Sequence, residues 1–127
     1  IPSTENCGGV VEPLAAGVPV LTNRVGGIPE VVIDGVSGLS IGEDSPKNVA
    51  VAINHALNDL PKLGAMAKNG QSLVKTMFDV RRTATEVCSI YEHILNNSQR
   101  PERFDSRSFL ETNFQEQADN VVPLNKP

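Results

Sequence analysis

Glu5, Gly8, Gly9 and Glu12 are the residues of this chain whose types and spacing point to chemistry. The run Glu5-Asn6-Cys7-Gly8-Gly9 is a polar, glycine-bearing loop, and the stretch from Gly8 or Gly9 to Ala16 that follows reads as a helix closed by Gly17. A loop-to-helix junction presents backbone N–H groups with no partner inside the helix, together with the positive end of its dipole. That is an anion site in outline, and two glycines let a phosphate approach without meeting a Cβ. Glu5 stands before the turn and Glu12 inside the helix, seven positions on. Carboxylates do not bind phosphate, but they accept hydrogen bonds from sugar hydroxyls. A diphosphate between two polyols fits this pattern, which is the outline of a nucleotide sugar. The same residues also admit a plainer account: Glu5 complementing the helix dipole, Glu12 an exposed helix residue, and Gly8-Gly9 a tight turn. Neither the Walker pattern nor G-x-G-x-x-G is present.

The elements that must hold this junction follow an α/β order. Ile1-Pro2-Ser3 reads as the end of a strand, and Val18 to Thr22 as a short β-rich run suited to a buried parallel strand. Gly26-Gly27 and Pro29 open a short helical segment through Val32. Asp34-Gly35 and Ser37-Gly38 are turn dipeptides leading into the strand Leu39-Ser40-Ile41. Ser45-Pro46 starts a helix whose apolar face runs from Val49 to Leu60 and stops at Pro61. Leu63 to Met77 describe another helix. Asp79 caps a third, where Val80, Ala84, Val87, Tyr91 and Ile94 form the clearest helical stripe in the chain. Tyr91 and Met77, at core spacing, read as packing residues. Only two or three strands are visible, fewer than a parallel sheet needs, so the chain reads as beginning in mid-sheet.

Composition narrows the function classes. The chain has 127 residues, 39% of them apolar, and a formal charge of -4, which suits one small domain. Its apolar runs are far shorter than the roughly 20 residues needed to span a bilayer. No basic stripe exists, so nucleic-acid binding has little support. Eight of the ten glycines lie in residues 1 to 42, where the charge is locally -3. Cys7 and Cys88 stand 81 positions apart without the paired spacing of a zinc or redox site, and read as reduced cytosolic thiols. His55 and His93 have no ligand-spaced neighbour. Residues 98 to 127 carry no period and read as a mostly disordered tail, within which Ser108 to Phe114 could form a transient helix or docking segment.

The order Pro2-Ser3, Glu5-Asn6-Cys7-Gly8-Gly9-Val10-Val11-Glu12, Gly17-Val18-Pro19-Val20, Val25-Gly26-Gly27-Ile28-Pro29-Glu30-Val31-Val32 and Asp34-Gly35-x-x-Gly38 resembles the group 1 (family 4) glycosyltransferases of the GT-B fold. The resemblance covers residues 1 to 42 and extends more loosely to about 97. It implies a retaining transferase, of hexosyltransferase type, that moves a sugar from a nucleotide-diphosphate donor to a hydroxyl acceptor without a bound metal or other cofactor. The implied donor-binding residues are Glu5, Asn6, Cys7, Gly8, Gly9, Val10 and Glu12. Glu5 is the catalytic member, holding the donor sugar's hydroxyls. Backbone N–H groups from Cys7 to Val10 would face the sugar and diphosphate, and Glu12 the ribose. No Asp-x-Asp or similar carboxylate pair occurs in residues 1 to 42, in keeping with a metal-free site.

One departure bears on Glu12. Its spacing from Glu5 is one residue shorter than the family's usual pattern, and one helical residue is a rotation of about 100°. Arg24 and Glu30 flank the second glycine loop, which could lie at the cleft edge or be ordinary turn chemistry. The expected organisation is a partial C-terminal, donor-binding, Rossmann-like domain over 1–97 followed by the tail. The expected partners are a nucleotide sugar, a hydroxyl acceptor (glycan, lipid-linked or small molecule) and an N-terminal domain of the same enzyme. The expected setting is polysaccharide or glycoconjugate synthesis, in the cytoplasm or at the cytoplasmic face of a membrane. The resemblance also places an Arg and a Lys upstream of the motif region, so these residues alone are expected to lack transferase activity. The alternative is a non-catalytic nucleotide- or protein-binding module that keeps the half-fold.

Overall fold

Residues 8–43 and 45–118 are described by the computed structural model. The first helix, α1 (Gly8–Ala15), is short and contains Pro13, which removes the N–H that would bond the Gly9 carbonyl. Its stability comes from burial: Val10 and Leu14, one turn apart, are 1% and 0% exposed. Gly17, at φ +77°, closes the helix. The Val18 N–H reaches the Pro13 carbonyl at 2.9 Å and the Gly17 N–H the Leu14 carbonyl at 2.9 Å, a Schellman arrangement.

That closure explains where the first strand begins. Val18 still belongs to the turn and Pro19 has no N–H to give a ladder, so β1 spans Leu21–Asn23 and not 18–22. It pairs in parallel with β2 (Leu39–Ile41) in the register Leu21↔Leu39, Thr22↔Ser40 and Asn23↔Ile41. The crossover contains α2 (Ile28–Val31), with Pro29 in its first turn. Val32, expected inside this helix, is its extended C-cap.

The turn into β2 is fixed by Ser37, which is fully buried. Its hydroxyl accepts from the Ile33 N–H at 2.8 Å and donates to the Val31 carbonyl at 3.0 Å. The Asp34 carboxylate accepts from the Ser40 N–H at 2.7 Å. Three longer helices follow, each with a side-chain cap: α3 (Pro46–Leu57) behind Ser45, α4 (Leu60–Met77) behind Asp59, and α5 (Val80–Asn96) behind Asp79. Pro61 therefore belongs to the first turn of α4 and does not merely terminate α3. Helix α4 is the platform, packing against α1, α2 and α3. The core gathers Val10, Leu14, Ile28, Val31, Val32 and Val74, with Met77 packed against it as expected.

Two further expectations change. The stripe on α5 does not form a core: no residue of that helix is buried, and Tyr91 is 62% exposed. The tail, expected to be mostly disordered from 98, contains α6 (Ser106–Ala118), whose Leu110 is 3% exposed and which packs on α4. Arg82 joins these elements. Its guanidinium donates to the Thr76 carbonyl at 2.9 Å and to the Met77 carbonyl at the end of α4, pairs with Glu86, and lies 4.6 Å from the Phe104 ring centroid. Phe104 in turn meets Phe109 at 5.8 Å between centroids.

Candidate functional site

The N–H groups of Gly8, Gly9 and Val10 form the first turn of α1, where an α-helix has no internal acceptors for them. Gly9 is exposed and Val10 turns into the core, so one side of this turn faces solvent and the other is anchored. Glu12 is exposed and lies four residues after Gly8, which places the two about 40° apart around the helix. Val10 and Leu14 occupy the opposite, buried side. With α1 starting at Gly8, the shorter spacing therefore leaves Glu12 on the same side of the helix as the exposed Gly9. Glu5, Asn6 and Cys7 lie outside the described residues, as does Ile1-Pro2-Ser3.

The far end of α1 is accounted for carbonyl by carbonyl. Glu12 O accepts from Ala16 N at 3.1 Å, and Pro13 O and Leu14 O are taken by the Schellman bonds. The Ala15 carbonyl accepts from the side-chain amide of Gln71, Nε2 at 3.0 Å. Gly70 and Asn69, beside Gln71 on α4, hold the neighbouring turn. Asn69 Nδ2 donates to the Val36 carbonyl at 3.0 Å, and Gly70 lets α4 close on Leu14 and the Ser37 carbonyl. The triplet Asn69-Gly70-Gln71 was not singled out from sequence. Its one local signal is a glycine in mid-helix, which costs about 1 kcal/mol relative to alanine and so calls for a packing reason.

The other candidates sit elsewhere. Arg24 is exposed, and Glu30 borders a cavity of about 270 Å³ together with Met77, Phe104, Asp105 and Ser106. A larger cavity, about 550 Å³, lies between α5 and residues 100–103, lined by Glu86, Ile90, His93 and both Arg100 and Arg103. His93 is engaged with the Ser98 carbonyl through Nδ1, and His55 is exposed on α3. Among the described residues no three His, Cys, Asp or Glu side chains converge as a metal site would require. Cys88 is a free, exposed thiol. No helix among them is long and apolar enough to cross a membrane.

Residues 5–73, which include the glycine loop, α1, both strands and most of α4, match the family described as glycosyl transferases, group 1. The chain belongs to the group 1 glycosyltransferases. Among curated relatives it is 34% identical over 101 residues to the Bacillus subtilis glycosyltransferase YtcC, covering 77% of this chain and 25% of that protein. It is 31% identical over 87 residues to the lipopolysaccharide core biosynthesis mannosyltransferase LpsB of Rhizobium meliloti, covering 67% of this chain and 25% of that one. Among solved structures, Anabaena HepE in complex with UDP superposes with a TM-score of 0.62 at 27% identity, over 67% of this chain and 23% of HepE. This group 1 sequence thus spans about a quarter of the length of the relatives it matches. The expected mixed α/β, GT-B type of architecture is the one its structural neighbours have.

Proposed function

We propose that the chain is the donor-binding part of a retaining glycosyltransferase that takes a nucleoside diphosphate sugar and passes the sugar, a hexose, to a hydroxyl acceptor. The observation that carries the reading is the first turn of α1. Its Gly8, Gly9 and Val10 N–H groups have no acceptor inside the helix, and they stand beside the exposed Gly9 and Glu12, in a family member similar to a protein crystallised with UDP. The amides receive the diphosphate, and their fixed dipoles favour the charge that builds on it as the glycosidic bond breaks. Glu12 accepts hydrogen bonds from the ribose hydroxyls, and Glu5 from the hydroxyls of the transferred sugar. Asn6 and Cys7 complete the loop between them. No metal is required in this scheme, because the helix terminus and basic side chains take the place of a cation on the leaving diphosphate. Polysaccharide or glycoconjugate synthesis, in the cytoplasm or at the cytoplasmic face of a membrane, is the proposed setting.

A helix terminus contributes about 1 kcal/mol to a bound anion. With a single arginine in residues 1–42, these 127 residues bind nucleotide weakly, on the order of millimolar, and transfer no sugar by themselves. The reading is tested by titrating ¹⁵N-labelled chain with UDP, GDP and ADP. One of them is expected to shift the Gly8 to Val10 amides ahead of all others. A titration in which those three amides stay fixed while the fold is intact overturns it, and sugar transfer by the purified chain overturns the claim of inactivity.

A further inference from the structure

We infer that Gln71 is a positioning residue for donor binding, acting from the opposite end of α1 through the carbonyl of Ala15. The inference rests on the donor-binding reading of the α1 N-terminus and adds a residue to it. Three of the last four carbonyls of α1 are satisfied within the turn that closes the helix, by Ala16, Gly17 and Val18. The fourth, Ala15 O, is held by Gln71 Nε2 at 3.0 Å, and Gln71 belongs to the platform helix 56 positions away in sequence. The turn is shaped around that amide: a Cβ on Gly17 would lie 3.1 Å from Gln71 Nε2.

Helix α1 needs such an anchor. It opens on two glycines and carries Pro13, so its own hydrogen bonding and propensity are poor. Val10 and Leu14 fix which face is buried, but apolar contact is non-directional and tolerates sliding along the axis. A directed hydrogen bond at the C-terminus sets the axial position. The helix is about 12 Å long, so a tilt of about 5° about the Ala15 end moves the first-turn amides by about 1 Å. A displacement of that size is enough to weaken an interaction that depends on placed donors. Gln71 thus couples a distant side chain to amides it never touches.

The test uses the 127-residue chain, UDP as the probe, and amide shifts as the readout. Gln71→Met keeps the length and removes the donor, while Gln71→Lys restores a donor to the Ala15 carbonyl. Leu110→Ala, on α6, serves as a variant that lowers stability without involving α1. The expected result is that Gln71→Met shifts the free-state Gly9 and Val10 amides and raises the UDP Kd about three- to tenfold. Gln71→Lys recovers most of that loss, and Leu110→Ala lowers the unfolding midpoint with the UDP Kd unchanged. If wild type binds UDP at Gly8 to Val10 and Gln71→Met binds it equally well, the positioning role is overturned and the donor site stands. Equal weakening by Gln71→Met and Leu110→Ala overturns it too, since the effect is then general loosening. If UDP, GDP and ADP all leave the Gly8 to Val10 amides of wild type unmoved, the donor-binding reading fails and the inference fails with it.

Discussion

A Cβ placed on Gly70 would lie 2.5 Å from Leu14 Cδ2 and 2.6 Å from the Ser37 carbonyl oxygen. Leu14 is fully buried and the Ser37 oxygen is backbone, so neither has room to yield. This crossing of α4 over α1 and the turn into β2 sets how closely the platform grips the site. Gly70→Ala gains about 1 kcal/mol of helix propensity, yet the overlap forces a shift costing about 1–3 kcal/mol beyond that gain. Gly64, on the same helix, has nothing within 4 Å of its would-be Cβ. Gly64→Ala is therefore expected to stabilise by about 0.5–1 kcal/mol. Urea unfolding of the two variants should move the midpoint in opposite directions; movement in the same direction would contradict the crossing.

Gly17 sets a second backbone requirement. At φ +77° it occupies a conformation that costs an L-residue about 1–2 kcal/mol, and its would-be Cβ meets the Gln71 amide at 3.1 Å. Gly17→Ala is expected to destabilise by about 1–2 kcal/mol, with the largest amide shifts at Ala15, Val18 and Gln71. A variant as stable as wild type would show that the closing turn tolerates another conformation.

The two glutamates separate in kinetics if their proposed roles hold. In the intact enzyme Glu5→Ala removes turnover, because the hydroxyls it holds belong to the sugar that moves. Glu12→Ala mainly raises the donor KM, by about five- to tenfold for a lost ribose contact of about 1 kcal/mol. Donor kinetics unchanged by Glu12→Ala would remove that residue from the site even though it faces the same side as Gly8.

How much of this was legible in sequence depends on the range of the interaction. Ser45, Asp79 and Gly17 act on their own neighbours, so caps and terminators read directly from residue types. The strand Leu39–Ile41 was bounded by turn dipeptides for the same reason. Strand β1 began three residues later than its β-rich run because the closing turn of α1 consumed the Val18 N–H, a bond the run itself does not encode. From sequence, α6 reads only as a transient helix or docking segment over Ser108 to Phe114, because its support is distant: Leu110 buries against the fold, and Phe104, beneath Arg82, meets Phe109. The stripe on α5 shows the converse, since periodicity reports a helix face and says nothing of whether a partner covers it. Around the candidate site, the helix start at Gly8-Gly9 was local and legible, whereas the hydrogen bond from Gln71 to Ala15 joins residues 56 positions apart and leaves no local signal.

The start of α6 carries a pH-dependent cap. Asp105 accepts from the Ser108 N–H at 2.9 Å and from the Ser108 hydroxyl, and these two bonds hold its carboxyl below the ordinary value of 3.8. A carboxylate whose folded pKa is depressed adds stability that is present above the unfolded pKa and is lost as pH falls through the folded one. Protection of the Ser108 amide is therefore expected to hold at neutral pH and to fall away below about pH 4. Asp105→Asn, which keeps a capping oxygen but cannot titrate, should retain α6 at pH 7 and flatten that loss in acid. The check is an NMR titration of the Asp105 carboxyl alongside the Ser108 amide. A midpoint at or above 3.8, or an amide that loses protection equally in Asp105→Asn, would show that the cap is not what anchors the first turn of α6.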